Sequence, residues 1–234
     1  MLEIGPGRGA LTDILAKRAG RVVAVELDRA LAVLLRERFA LTPSVEIVEA
    51  DILKTDPGEL GGPGYLLVGN VPYYITTPIL FHALACALPR RAVFLVQREV
   101  ATRAMADAGS KSYGALSVNL QVLASVERVF DIPPGAFRPP PKVDSSVIRI
   151  TPLSNPVLRE GEQGRFRSFV QSLFSQRRKQ IGTILRSLPP SASGVPAVTL
   201  DALAALGIPP TERPERLTPL QFVELFREVR QSER

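Results

Sequence analysis

Short apolar runs alternate with amphipathic stretches through the first half of the chain. Leu2 to Ile4 precedes Leu11 to Ala19, Arg21 to Val25 precedes Leu31 to Phe39, and Val45 to Val48 follows. Leu66 to Val68 then precedes Ile79 to Leu88. A buried strand followed by a helix, repeated, predicts a parallel sheet wrapped by helices. The run Ala92 to Val96 leads into a predicted helix from Arg98 to Met105, and a further helix fits Tyr113 to Leu123. Val126 to Phe130 and Ser145 to Ile150 read as two strands around the loop Pro133 to Lys142, a spacing that suits antiparallel edge strands. Beyond residue 152 the pattern is helical only, over Phe166 to Phe174, Lys179 to Leu188, Leu200 to Leu206 and Pro219 to Val229. Pro189-Pro190, Pro209-Pro210 and Pro214 act as stops. The expected organisation is an α/β domain over 1–152 and a small helical domain over 153–234.

Composition narrows the chemistry. One cysteine, Cys86, and one histidine, His82, rule out a disulfide framework and a Cys/His zinc site. The two lie four apart in an apolar helical stretch, which places them as ordinary helix positions. No apolar run reaches the roughly 18 residues of a membrane span, and no secretory leader opens the chain, so a cytoplasmic protein is expected. The net charge is +6, from 29 Lys plus Arg against 23 Asp plus Glu. It is concentrated in the helical part, with 12 basic and 8 acidic residues over 153–234 against 17 and 15 before it. A polyanionic partner fits that balance.

Two loops carry candidate chemistry. Glu3-Ile4-Gly5-Pro6-Gly7-Arg8-Gly9 joins the first strand to the first helix, where glycines allow a tight turn and close approach of a ligand. The Gly-x-Gly-x-Gly spacing departs from the Gly-x-Gly-x-x-Gly of dinucleotide sites, so NAD is the weaker fit. Glu26 ends the second strand, 19 residues after Gly7, where an acid can accept from both hydroxyls of a ribose. Asp51 follows the third strand and can accept from an adenine amino group. Asn70-Val71-Pro72-Tyr73 follows the fourth. Its Asn amide oxygen can accept an N–H from an amine, the Pro stiffens the turn and the Tyr ring offers a stacking face. The same composition serves ordinary turns; Gly5, Glu26, Asp51 and Asn70 converging at the strands' carboxyl ends favours a site.

Taken together, these motifs resemble a class I S-adenosylmethionine-dependent methyltransferase: a Rossmann-like α/β sheet, here followed by a small all-helical C-terminal domain. Ala136-Phe137-Arg138-Pro139-Pro140-Pro141-Lys142-Val143-Asp144-Ser145-Ser146-Val147 resembles the signature of the KsgA/RsmA family of ribosomal RNA adenine dimethylases. Phe174-Ser175-Gln176-Arg177-Arg178-Lys179 and Ser110-Lys111-Ser112-Tyr113-Gly114 are similar to two further motifs of that family, and the likeness runs from Met1 to about Phe226. The resemblance implies N6,N6-dimethylation of two adjacent adenosines near the 3′ end of 16S rRNA in an assembling 30S particle, by a monomer. It implies cofactor contacts from Gly5, Gly7, Glu26, Asp51 and Asn70, with Glu3 a further candidate. Asn70 and Pro72 would hold the target amine, and Tyr73 and Phe137 would stack on the extruded adenine. Lys142, Arg177, Arg178 and Lys179 are the expected RNA contacts, against the alternative of a solvated helix face. Relatives of this kind carry some tens of residues ahead of the position of Met1, including a Gln-Asn-Phe-Leu-type segment that closes over the cofactor, so an N-terminally truncated chain is expected. Erm-type 23S rRNA adenine methylases share a similar turn, but the triple proline and Lys142-Val143-Asp144-Ser145 favour the small-subunit family. DNA adenine methylases carry two prolines in that turn, which Val71 disfavours. The alternative from another class is a non-catalytic rRNA-binding assembly factor.

Overall fold

The computed structural model describes residues 1–85, 88–138, 140–159, 161–187 and 200–231. Cys86, Pro139 and residues 188–190 lie outside the described residues. The chain forms two compact units, one of residues 1–101 and 126–152, the other of residues 102–125 and those from Leu153 onward. The division is discontinuous in sequence. Its third and last crossing falls at the 152/153 boundary, while the segment around Tyr113 belongs with the helices.

The first unit is a seven-stranded sheet. Its strands are β1 (Leu2–Ile4), β2 (Val22–Glu26), β3 (Val45–Glu49), β4 (Leu66–Gly69), β5 (Arg91–Gln97), β6 (Ala124–Ile132) and β7 (Ser145–Pro152), in the order β3-β2-β1-β4-β5-β7-β6. β1 to β5 pair in parallel, and β7 runs antiparallel to β5, with Ala92 opposite Ile150 and Gln97 opposite Ser145. β1 and β2 are buried at every position, as strands covered on both faces must be. The helices are α1 (Ala10–Ala16), α2 (Arg29–Arg38), α3 (Pro57–Gly61), α4 (Thr76–Ala83) and α5 (Arg98–Ala104). Asp28 caps α2, its carboxylate accepting from the Ala30 and Leu31 N–H groups.

Three features differ from the sequence expectation. β7 lies inside the sheet between β5 and β6, so only β6 is an edge on that side. Ser145, Ser146, Ile148 and Ile150 are accordingly buried, whereas most of β6 is exposed. α3 is a short helix started by Asp56 and Pro57, in a stretch for which the sequence pattern predicts no element. α4 begins at Thr76 because the 3₁₀ turn Tyr73–Ile75 feeds straight into it.

The second unit holds α6 (Ala115–Gln121), α7 (Gln163–Phe174), α8 (Ile181–Ser187), α9 (Leu200–Ala205) and α10 (Pro219–Gln231), with an aromatic cluster made by α7, α10 and Tyr113. Phe166 meets Phe226 edge-on at 5.5 Å between ring centres, and Phe174 stacks on Phe222 at 5.5 Å. Tyr113 is fully buried against Phe174, and its hydroxyl donates to the Leu217 carbonyl at 2.9 Å. Burial pushes its phenol well above the usual tyrosine range.

Candidate active site

The chain leaves β1 to run through β2 and β3 on one side, then returns to β4 and β5 on the other. The carboxyl ends of β1 and β4 therefore flank a topological switch point, where open α/β sheets bind ligands. Four connections converge there.

The first is the glycine loop. Gly5, Gly7 and Gly9 all take positive φ, at 66°, 59° and 85°. At Gly9 the demand is double: a Cβ would also stand 2.9 Å from Leu35 Cδ2 on α2, inside any real contact. Gly7 N–H donates to Glu26 Oε2 at 3.0 Å, and Asp28 N–H donates to Glu26 Oε1 at 3.0 Å. Glu26 thus staples the loop to the end of β2 while each carboxylate oxygen keeps capacity for another donor. Beneath it, Glu3 is buried and accepts from Thr12 Oγ1 at 2.7 Å. Desolvation holds the Glu3 carboxyl above its ordinary value, opposed by the Thr12 hydrogen bond and assisted by the nearby Glu26 charge.

A cavity of about 460 Å³ opens at these strand ends. Gly5, Glu26, Asp51 and Pro72 line it, among apolar walls from Val25, Ile52, Val71, Ile75 and Ile79. Ile4, Leu27, Asp28, Ala50 and Tyr74 complete the lining. Asp51 caps the 3₁₀ turn Ile52–Lys54, accepting from Leu53 N–H at 3.1 Å, and its other oxygen is 3.6 Å from Lys54 Nζ. Among the described residues no cluster of His, Cys, Asp and Glu can hold a metal ion.

The structure thus brings Gly5, Glu26, Asp51 and Pro72 to one cavity. Gly7 stands behind it, joined through Glu26. Asn70 is exposed at the end of β4 and does not line the cavity, and neither do Tyr73 and Phe137. Tyr73 is half-buried, its hydroxyl 2.5 Å from the buried Ser145 Oγ on β7. Phe137, also half-buried, follows the 3₁₀ turn Pro134–Ala136. Lys142 is exposed.

Arg177 has a structural partner that the sequence did not announce. Its Nε donates to Glu215 at 2.6 Å and its Nη2 to the Lys111 carbonyl at 2.9 Å, while Gly109 N–H donates to the Glu215 carbonyl at 2.7 Å. The guanidinium ties the 107–114 loop to the 3₁₀ turn Pro214–Arg216. Arg178 and Lys179 stay exposed.

The residues sequence reasoning passed over are Asp28, Ile52, Tyr74, Ile79 and Ser145. Asp28 carried a signal, an Asp directly before a helix; Ser145 carried one only as a letter in a motif.

A sheet of this order, with its glycine loop, strand-end acids and Asn-Val-Pro-Tyr turn at the switch point, is that of the class I methyltransferases. The family model described as ribosomal RNA adenine dimethylase matches residues 1–228. The chain is 45% identical over 230 residues to the ribosomal RNA small subunit methyltransferase A of Acidobacterium capsulatum, covering 97% of this chain and 80% of that protein. It is 45% identical over 231 residues to the protein of the same name from Geobacter sulfurreducens, covering 96% and 83%. Among solved structures, a dimethyladenosine transferase from Plasmodium falciparum superposes with a TM-score of 0.81 at 26% identity, over 99% of this chain and 90% of that one. The 23S rRNA methyltransferase ErmE superposes at 0.68 with 31% identity, over 98% and 90%. The chain belongs to the ribosomal RNA adenine dimethylase family.

Proposed function

We propose that the protein transfers methyl groups from S-adenosylmethionine to the N6 amines of two adjacent adenosines in small-subunit rRNA, giving N6,N6-dimethyladenosine. The observation that carries this reading is the cavity at the switch point, walled by apolar side chains and bearing Glu26 and Asp51 at the ends of adjacent strands. Its volume is that of an adenosine-sized site, and its two carboxylates are acceptors matched to a ribose diol and an adenine amino group. Glu26 would hold the ribose, Asp51 the adenine, and Gly5 and Gly7 would admit the amino-acid portion. When bound, the sulfonium supplies an electrophilic methyl.

The protein's own work is positioning. The Asn70 amide oxygen accepts one N6–H and holds the nitrogen's lone pair on the line of attack. The amine is neutral and sheds its proton after transfer, so no base of shifted pKa is needed. Tyr73 and Phe137 stack on the extruded base, offsetting unstacking by about 1–3 kcal/mol per base. Lys142, Arg178 and Lys179 contact phosphates of rRNA in an assembling 30S particle. The protein works as a monomer in the cytoplasm; among the described residues no helix is long and apolar enough to cross a membrane. Asn70→Ala tests the assignment. Turnover should fall at least about a hundredfold with cofactor affinity changed far less, and turnover at the parent rate would refute it.

A further inference from the structure

His82 sits near the end of α4, the helix that follows the Asn70–Tyr73 turn and walls the cavity through Ile79. Its Nε2 lies 2.7 Å from the Thr55 carbonyl oxygen, in the connection after β3. A carbonyl brings no proton, so Nε2 carries the hydrogen and donates it. Thr55 is itself folded back on Asp51. Its Oγ1 donates to the Asp51 carbonyl at 2.6 Å, and its N–H donates to the Ile52 carbonyl at 3.3 Å. Lys54 N–H also donates to the Asp51 carbonyl, at 2.9 Å. Residues 51–55 therefore form one closed turn. One end presents Asp51 and Ile52 to the cavity, and the other is strapped to α4 by the imidazole. The bonds from Leu53, Lys54 and Thr55 back to Asp51 and Ile52 are all local; burial of Ile52 anchors the near end, and the Thr55 end has the imidazole as its tie to α4.

We infer that His82 is a positioning residue for the cofactor's base. By tying the 51–55 turn to α4, it sets where the Asp51 carboxylate stands against the opposite wall, and so how sharply the site tells a 6-amino purine from a 6-oxo purine. This rests on the reading of the cavity as the S-adenosylmethionine site. A 6-amino group donates to the carboxylate. A 6-oxo group meets it with a lone pair, and a site built to receive a donor rejects its replacement only while the acceptor is held in place.

The test is calorimetric binding of S-adenosylhomocysteine and its deaminated counterpart S-inosylhomocysteine to the full chain, the His82→Ala variant and the His82→Gln variant. The parent should prefer the amino ligand by at least about tenfold. His82→Ala should shrink that preference by about threefold to tenfold, and amide exchange at Leu53 to Thr55 in the ligand-free protein should quicken. His82→Gln, whose carboxamide NH₂ can occupy the place of Nε2, should restore both. If the alanine variant does not fold, His82→Asn, too short to reach Thr55, takes its place. An unchanged preference in a folded variant overturns the inference, as does an equal loss of affinity for both ligands. A parent that binds neither ligand overturns the cofactor reading and the inference with it; a parent that binds both equally removes the role given to Asp51.

Discussion

Glu26→Gln separates two roles that one side chain performs. Each carboxylate oxygen of Glu26 takes one backbone N–H, from Gly7 and from Asp28, both at 3.0 Å, and the residue is buried. The carboxamide keeps the length but only one acceptor oxygen, so its NH₂ must face the second N–H donor. Losing one hydrogen bond to a charged group costs about 1.5–3 kcal/mol, which in a chain of this size lowers the unfolding midpoint by about 3–12 °C. If the same carboxylate also receives the ribose hydroxyls, the cofactor loses a second bond of that kind, and affinity falls a further tenfold to hundredfold or so. Differential scanning of the ligand-free protein reads the first effect, and calorimetric titration with S-adenosylhomocysteine reads the second. A lowered midpoint with unchanged affinity would leave Glu26 as a loop staple only, refuting the ribose contact. An unchanged midpoint and affinity within twofold of the parent would refute both roles.

Gly9→Ala forces a non-glycine residue to φ 85° and sets a methyl 2.9 Å from Leu35 Cδ2, so thermal unfolding should show a loss of about 2–4 kcal/mol. Gly20→Ala, where an added Cβ meets nothing within 4 Å, should stay close to the parent, and equal effects would contradict the packing argument. Ser145→Ala removes the hydroxyl that holds Tyr73. Turnover on RNA should fall about tenfold with cofactor affinity unchanged, and parental turnover would mean the ring needs no such anchor. Arg177→Ala should lower thermal stability by releasing Glu215 and the Lys111 carbonyl. Arg178→Ala with Lys179→Ala should instead leave stability alone and flatten the salt dependence of RNA binding, by about one unit of slope for each phosphate no longer neutralised. An unchanged slope would remove both residues from the RNA surface.

The parallel half of the sheet was legible because its strands are short apolar runs, continuous and buried throughout in β1 and β2, and the ends of those runs put Gly5, Glu26, Asp51 and Asn70 at strand ends, of which the first three line the cavity. The antiparallel part was not. Nothing local to Ser145–Pro152 says that it inserts between β5 and β6 rather than lying at the edge; that choice is made by the partner strands. The same holds for side-chain contacts between residues far apart in the chain. Tyr73 and Ser145 are 72 residues apart, Arg177 and Glu215 38 apart, and His82 and Thr55 27 apart, so each pair is a product of folding with no periodicity to betray it. Within a basic triplet Arg177 reads as one more phosphate contact, and nothing in the triplet announces its bonds to Glu215 and the Lys111 carbonyl. His82 is a helix position, as the pattern has it, and the pattern carries no sign of the Thr55 carbonyl that its ring meets.

Transfer of labelled methyl from S-adenosylmethionine to unmethylated small ribosomal subunits, with large subunits as the comparison and nuclease mapping of the product, tests the central claim most directly. The account predicts label in two adjacent adenosines near the 3′ end of the small-subunit rRNA, recovered as N6,N6-dimethyladenosine and absent from the Asn70→Ala reaction. Label in the large-subunit rRNA instead, or RNA binding with no transfer to either subunit, would contradict it.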